Sequence, residues 1–239
     1  MTERQAKSVV RRGLMRSIAF LSGAGAVIAG LGATGLGGKV LAQPVVQVLA
    51  GADQMLLQYL TTTQSLQAQF LHEQISGSGR LMRFSGVMSL QRPGRFRWEV
   101  QKPYAQLQLV RGGEFILYDA DLAQVTIRPL EDAAMATPAG LLLSAGPDAA
   151  DVLQRHFVLR NLEDQDGLSW VLVESKAGQE GGQKLAAGFD AKGMLQQFQL
   201  IDQIGRRSRV VLSQIQRNQP LAADLFVFRP PKGVEVIRP

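Results

Sequence analysis

Arg92 stands against Pro93 in the stretch LQRPGRFRWEV, and the residues that follow it alternate. Phe96, Trp98 and Val100 fall on one side of a strand, Arg95, Arg97 and Glu99 on the other. An apolar aromatic side of this kind can hold hydrocarbon. A guanidinium, with five donors in a rigid fork and a charge it does not lose, can bind backbone carbonyls. Each charge-assisted bond contributes about 1.5–3 kcal/mol, enough to fasten a neighbouring segment and still let it open. The plainer alternative for Arg92 is a solvated surface arginine.

Signals for catalysis are missing. His72 and His156 have no partner at a recognisable spacing, and Gly77-Ser78-Gly79 reads as a hairpin turn rather than a nucleophile elbow. Asp119 and Asp121 imitate a carboxylate pair, but Tyr-Asp-x-Asp between two strands is better read as a turn. No zinc-protease helix, calcium loop or phosphate-binding glycine loop occurs. The chain has no cysteine, which excludes disulfides, thiol nucleophiles, Cys-ligated metals and a lipidated N-terminal cysteine. The expectation is a protein that is not an enzyme and carries neither cofactor nor metal.

The elements that would position Arg92 and the aromatic face are mostly strands. Ala52, Met55, Leu56, Tyr59 and Leu60 recur at helical spacing, so a helix is expected over Asp53 to Leu60. After Thr63 the period changes to two, through Leu66/Ala68/Phe70 and then Met82/Phe84/Gly86/Met88/Leu90. Further strands are read at Leu107/Leu109, Phe115 to Asp119, Val125/Ile127, Phe157–Glu163, Trp170–Glu174, Lys184–Phe189, Met194–Asp202 and Arg207–Ile215. Turn signals separate them. Thr137-Pro138 caps a short helix through Ala139 to Ser144, and Pro147 to Arg155 reads as another. The expected fold is mainly β, an open and incomplete antiparallel barrel of about eleven strands. Three short helices cover its concave face as a lid. If Phe84, Met88, Leu90, Phe96, Trp98, Leu107, Leu109, Val125, Ile127 and Phe198 all point inward, that face is large and apolar. Either the helices fill it as an ordinary core, or one side of Leu141-Leu142-Leu143 meets the sheet while another meets a ligand.

Charge must be read after the N-terminal segment is set aside. A basic stretch with Arg4, Lys7, Arg11, Arg12 and Arg16, a Gly/Ala-rich apolar run, and Val40-Leu41-Ala42 before Gln43 have the form of an export signal. We expect cleavage after residue 42 and a single domain over residues 43–239. Residues 1–42 hold six of the 26 basic and one of the 20 acidic residues, which leaves 20 basic against 19 acidic, a net charge of +1. The high isoelectric point therefore belongs to the leader and makes no case for nucleic acid.

Four segments, RPGRFRWEVQKP, LYDADLAQVTIRPL, TPAGLLLS and FVFRPPKGVEVI, in this order and spacing, resemble the LolA family of periplasmic carriers of outer-membrane lipoproteins. The resemblance spans about residues 45–237. It implies an incomplete barrel under short helices and a monomer in the periplasm. It also implies a carrier that takes acylated lipoproteins from an inner-membrane ABC transporter and delivers them to an outer-membrane receptor. On that basis the lipid cavity is expected to be lined by Phe84, Met88, Leu90, Phe96, Trp98, Leu109, Val125, Leu141, Leu142 and Phe198. Arg92 is the expected latch, with Thr137, Pro138, Ala139 and Leu143 in the lid. Phe115-Ile116 stands where family members often have Leu-Trp. The alternative reading keeps the fold and changes the job, to an envelope sensor that binds a lipid or a membrane-protein segment. The larger regulators of that kind carry a further C-terminal domain, whereas this chain stops just after the FRPP tail.

Overall fold

The structure, a computed structural model, describes residues 51–76, 79–130, 140–142, 148–176, 183–202 and 205–238. The export signal and most of the expected lid helix, including Thr137, Pro138, Ala139 and Leu143, lie outside the described residues.

Helix α1 covers Ala52–Thr62 and buries Ala52, Leu56, Tyr59 and Leu60, one apolar stripe at helical spacing. Asp53 lies in its first turn, where a carboxylate suits the positive end of the helix dipole. Six strands follow: β1 Ser65–Ile75, β2 Leu81–Gln91, β3 Arg95–Lys102, β4 Gln106–Arg111, β5 Glu114–Asp119 and β6 Gln124–Pro129. Residues 140–142 form a helical turn, and helix α2 spans Ala149–His156. The chain then runs through β7 Phe157–Asn161, β8 Ser169–Ser175, β9 Lys184–Phe189, β10 Leu195–Ile201 and β11 Arg207–Arg217. A 3-10 turn at Ala223–Phe226 precedes β12 Glu235–Ile237.

All twelve strands belong to one sheet, ordered β12-β6-β5-β4-β3-β2-β1-β11-β10-β9-β8-β7. The sheet is open, with β12 and β7 at its edges. The chain enters at the middle, winds outward to β6, crosses over through the helical turn and α2 to the far edge, and returns until β11 pairs with β1. The expected antiparallel meander needs one correction in detail. The tail adds a twelfth strand, and β12 runs parallel to β6.

The strands segregate their faces. On β1, Leu66, Ala68, Phe70, His72 and Gln74 are buried on one side, opposite Leu90, Met88, Gly86, Phe84 and Met82 of β2. This inner face continues through Val210 and Leu212, Phe198 and Leu200, Leu185, Ala187 and Phe189, Val171 and Val173, and Leu159. The helices α1 and α2 complete a single apolar cluster with it. A second, smaller cluster lies on the outer face, where Leu109, Ile116 and Val125 meet Phe226 of the tail.

Two glycines allow close approaches. A Cβ on Gly86 would sit 1.8 Å from the Glu99 carbonyl oxygen and 3.0 Å from the Phe70 ring, so this bulge position has room only for hydrogen. On the outer face, Trp170 lies across Gly188, where a Cβ would approach the indole to 2.9 Å.

Candidate functional site: an apolar sheet face closed by Arg92

Arg92 follows the last residue of β2 and is 8% exposed. Its Nη1 donates to the carbonyls of Leu60 at 3.1 Å and Thr63 at 2.6 Å, and its Nη2 donates to the carbonyl of Leu142 at 2.7 Å. One side chain thus joins three pieces: the sheet, the end of α1, and the helical turn at 140–142. The last turn of α1 contains no basic residue, so its free carbonyls, the negative end of the helix dipole, take their cation from the sheet. The guanidinium also lies 5.6 Å from the ring centre of Tyr59. Burial lowers the pKa of Arg92, partly offset by Tyr59, and burial raises that of Tyr59. At neutral pH the arginine remains charged and the phenol neutral. The alternative of a solvated surface arginine does not hold.

A second clasp acts on the same corner. The Asn218 side-chain oxygen accepts from the backbone N–H of Gln64 at 2.8 Å, while its amide donates to the Thr62 carbonyl at 2.9 Å. Asn218 has a φ of 58°, a left-handed conformation that Asn tolerates better than most residues. Nothing in the sequence reading pointed to it, because it lies 154 residues from Gln64.

Beneath Arg92 the inner face is aromatic. Phe96 and Trp98 of β3 sit opposite Leu90 and Met88, with their ring centres 6.3 Å apart. Phe70 stacks on Trp98 at 3.7 Å with an interplanar angle of 18°, passing over the gap left by Gly86. Leu141 is fully buried and Leu142 is 9% exposed, both within the inner cluster. Of the expected lining, the structure brings together Phe84, Met88, Leu90, Trp98, Leu141, Leu142 and Phe198, with Phe96 packed against them. Phe70 and Tyr59 belong beside them and were overlooked, although the Leu66/Ala68/Phe70 alternation carried the signal for the first.

Leu109 and Val125 do not belong there. Register pairs Trp98 with Gln108 and Arg97 with Leu109, so the leucines of β4 share the face of Arg97 and Glu99. Through β5 the pairings Leu109↔Ile116 and Tyr118↔Val125 keep Val125 on that outer face. Leu107 and Ile127 follow for the same reason. Alternation assigns sides only within one strand. The turn between β3 and β4 decides how the next strand's pattern is phased, and a slip of one residue exchanges the faces. Both faces of β4 are buried, the outer one because the tail, from Leu221 to Val234, covers it. Arg97 is not a free basic group either. It pairs with Glu99 at 2.6 Å and donates to the Leu225 carbonyl at 3.2 Å, holding the tail down.

Among the described residues no group of three or more His, Cys, Asp or Glu side chains is arranged to hold a metal ion, and no helix is long and apolar enough to cross a membrane. What the arrangement offers is a large apolar surface beneath helical elements tied down by one buried cation.

Comparison with known proteins agrees with these features. The family model for the outer membrane lipoprotein carrier protein LolA matches residues 61–229. An outer-membrane lipoprotein carrier protein of Dechloromonas aromatica is 36% identical over 189 residues, covering 79% of this chain and 88% of that protein. One from Methylobacillus flagellatus is 37% identical over 192 residues, covering 80% and 90%. Among solved structures, a LolA superfamily protein from Nitrosomonas europaea aligns with a TM-score of 0.42 at 12% identity, covering 75% of this chain and 99% of that one. With the family model spanning most of the chain from α1 to the tail, and relatives above 30% identity along nearly their whole length, the protein belongs to the LolA family of outer membrane lipoprotein carriers.

Proposed function

We propose that this protein is a periplasmic carrier that shields the acyl chains of lipoproteins between an inner-membrane ABC transporter and an outer-membrane receptor. Residues 1–42 direct its export. The observation that carries this reading is the buried Arg92 fork, which fastens Leu142 and the end of α1 over an aromatic sheet face.

The physical demand is clear. At about 0.8 kcal/mol per methylene, one long acyl chain exposed to water costs roughly 10 kcal/mol. Cargo with two or three chains does not cross an aqueous gap unaided. A carrier must offer an apolar face yet give the cargo up, and a cover that competes with the cargo supplies both. In the closed form Leu141 and Leu142 occupy the inner face and Arg92 holds them there. Loading breaks the Arg92–Leu142 bond and displaces the turn. Unloading restores both, so closure assists release.

The test is to express the protein with its leader alongside a radiolabelled lipoprotein and to isolate soluble complexes. Wild type is expected to hold lipoprotein in a 1:1 complex and release it to receptor-bearing membranes. Arg92→Leu should load but release at least about tenfold more slowly, because closure no longer gains its charge-assisted bonds. Release at the wild-type rate would remove the latch, and absence of any soluble complex with wild type would remove the carrier assignment.

A further inference from the structure

The inner face is not uniformly apolar: beyond the row nearest Arg92 it carries buried polar groups. Register places Leu66, Leu90 and Phe96 at the end near α1 and Arg92, whereas Gln74 pairs with Met82 and Ser208 at the other. His72 lies one inward position from Gln74. Gln106 sits opposite Val100, level with Gly86 and Phe70 and one inward position from His72 toward Arg92, and Trp98 lies one position further that way, level with Met88 and Ala68. His72 is 3% exposed, Gln74 and Gln106 are each 4%, and Trp98 is 8%.

These groups are buried without full satisfaction. His72 Nε2 and Ser208 Oγ lie 2.7 Å apart, but His72 Nδ1, Gln74 Oε1, Gln106 Oε1 and Trp98 Nε1 have no hydrogen-bond partner in the protein. The rings of His72 and Trp98 meet edge-on at 6.4 Å, so the imidazole and the indole belong to one neighbourhood. A buried donor or acceptor left unpaired costs free energy, and a face that received only hydrocarbon would have no reason to carry four of them.

Their chemistry describes the missing partner. Gln74 and Gln106 present acceptor oxygens, Trp98 presents an N–H donor, and His72, held neutral by burial, offers one further ring nitrogen. None of the four is charged. Asp119, paired in register with Gln106, already accepts from the Leu122 N–H. A phosphate or other anionic head therefore finds no counter-charge among them. An uncharged group with carbonyl acceptors and amide N–H donors fits.

We propose that His72, Gln74, Trp98 and Gln106 form a polar subsite for the ester and amide groups that link acyl chains to the cargo's terminal cysteine. The chains then point toward α1 and Arg92. This rests on the carrier reading above and adds to it a direction of binding: head at the His72 end, tails beneath the latch.

The chain has two tryptophans, which makes indole N–H resonances a clean reporter. Trp170 is the internal reference, since its Nε1 already donates to the Gln165 carbonyl at 3.2 Å on the outer face. The probes are a dipalmitoyl-S-glyceryl-cysteine peptide and hexadecyltrimethylammonium, which has a long chain but no carbonyl. The peptide should move the Trp98 N–H resonance downfield and leave that of Trp170 in place, whereas the ammonium should not produce that downfield shift. Gln106→Leu and, on a different strand, His72→Phe should weaken the peptide about fivefold to tenfold and the ammonium less than about twofold. A wild type that binds both probes without a Trp98 shift, or variants that lose both probes equally, would overturn the subsite alone. A wild type that binds neither would overturn the carrier reading and the subsite with it.

Discussion

Arg92 and His72 are both buried at the inner face, and they solve the burial problem differently. Arg92 keeps its charge by giving three N–H bonds to backbone carbonyls. His72 gives up its charge: burial lowers its pKa to about 4 from an ordinary value of 6.5. Between those two pH values the unfolded chain binds more protons than the folded one. The stabilising contribution is therefore complete above pH 6.5 and is lost as pH falls toward 4. The whole effect is on the order of 3 kcal/mol. Urea unfolding of the wild type should show a midpoint that drops between pH 7 and pH 4.5. His72→Gln, which does not titrate, should be markedly flatter over the same interval; an equally steep drop would assign the pH sensitivity to other groups.

At the scale of elements, the outer-face cluster shows how the tail earns its place. Leu109, Ile116 and Val125 would be solvent-facing positions of an ordinary one-sided sheet, but Phe226 and its neighbours cover them. Phe226 is 3% exposed. Phe226→Ala is expected to lower stability by about 3–4 kcal/mol, read as a shift of the urea midpoint with an unchanged m value. A shift below about 1 kcal/mol would mean that the 3-10 turn rests on the sheet without packing into it. The tail also blunts an edge, since β12 adds in parallel beyond β6 and leaves β6 paired on both sides.

The whole molecule is an open sheet whose two edges, β12 and β7, lie at opposite ends of its strand order. It relies on helices rather than closure to shield its inner face, and helices can move where a closed barrel cannot. Phe96 is the aromatic residue of the Phe96–Trp98 pair that is only half-buried, packed against the cluster rather than within it. If the proposed carrier function holds, Phe96→Glu places a charge on the face proposed to bind hydrocarbon, at a cost of several kcal/mol for each loaded carrier. Lipoprotein recovered with the purified variant should fall at least about tenfold while its far-ultraviolet circular dichroism stays that of the wild type. Undiminished recovery would take Phe96 out of the binding face.

Much of this was present in the chain itself. The change of period after Thr63 and the glycine and aspartate turns mark where local sterics and hydrogen bonding leave the backbone few choices. They delimited α1 and most strands within a few residues. The four motif segments by themselves carry the resemblance to the family. Tertiary structure alone decided which side of each strand faces in, because alternation fixes sides only relative to one another and the turn before β4 sets its phase. That is why Leu109 and Val125 changed faces while Phe84, Met88, Leu90 and Trp98 did not. Only the folded chain could bring Arg92 to Leu60, Thr63 and Leu142, or seat unpaired His72, Gln74, Trp98 and Gln106 atoms in one interior. Those contacts join residues far apart in sequence, and no local pattern encodes them.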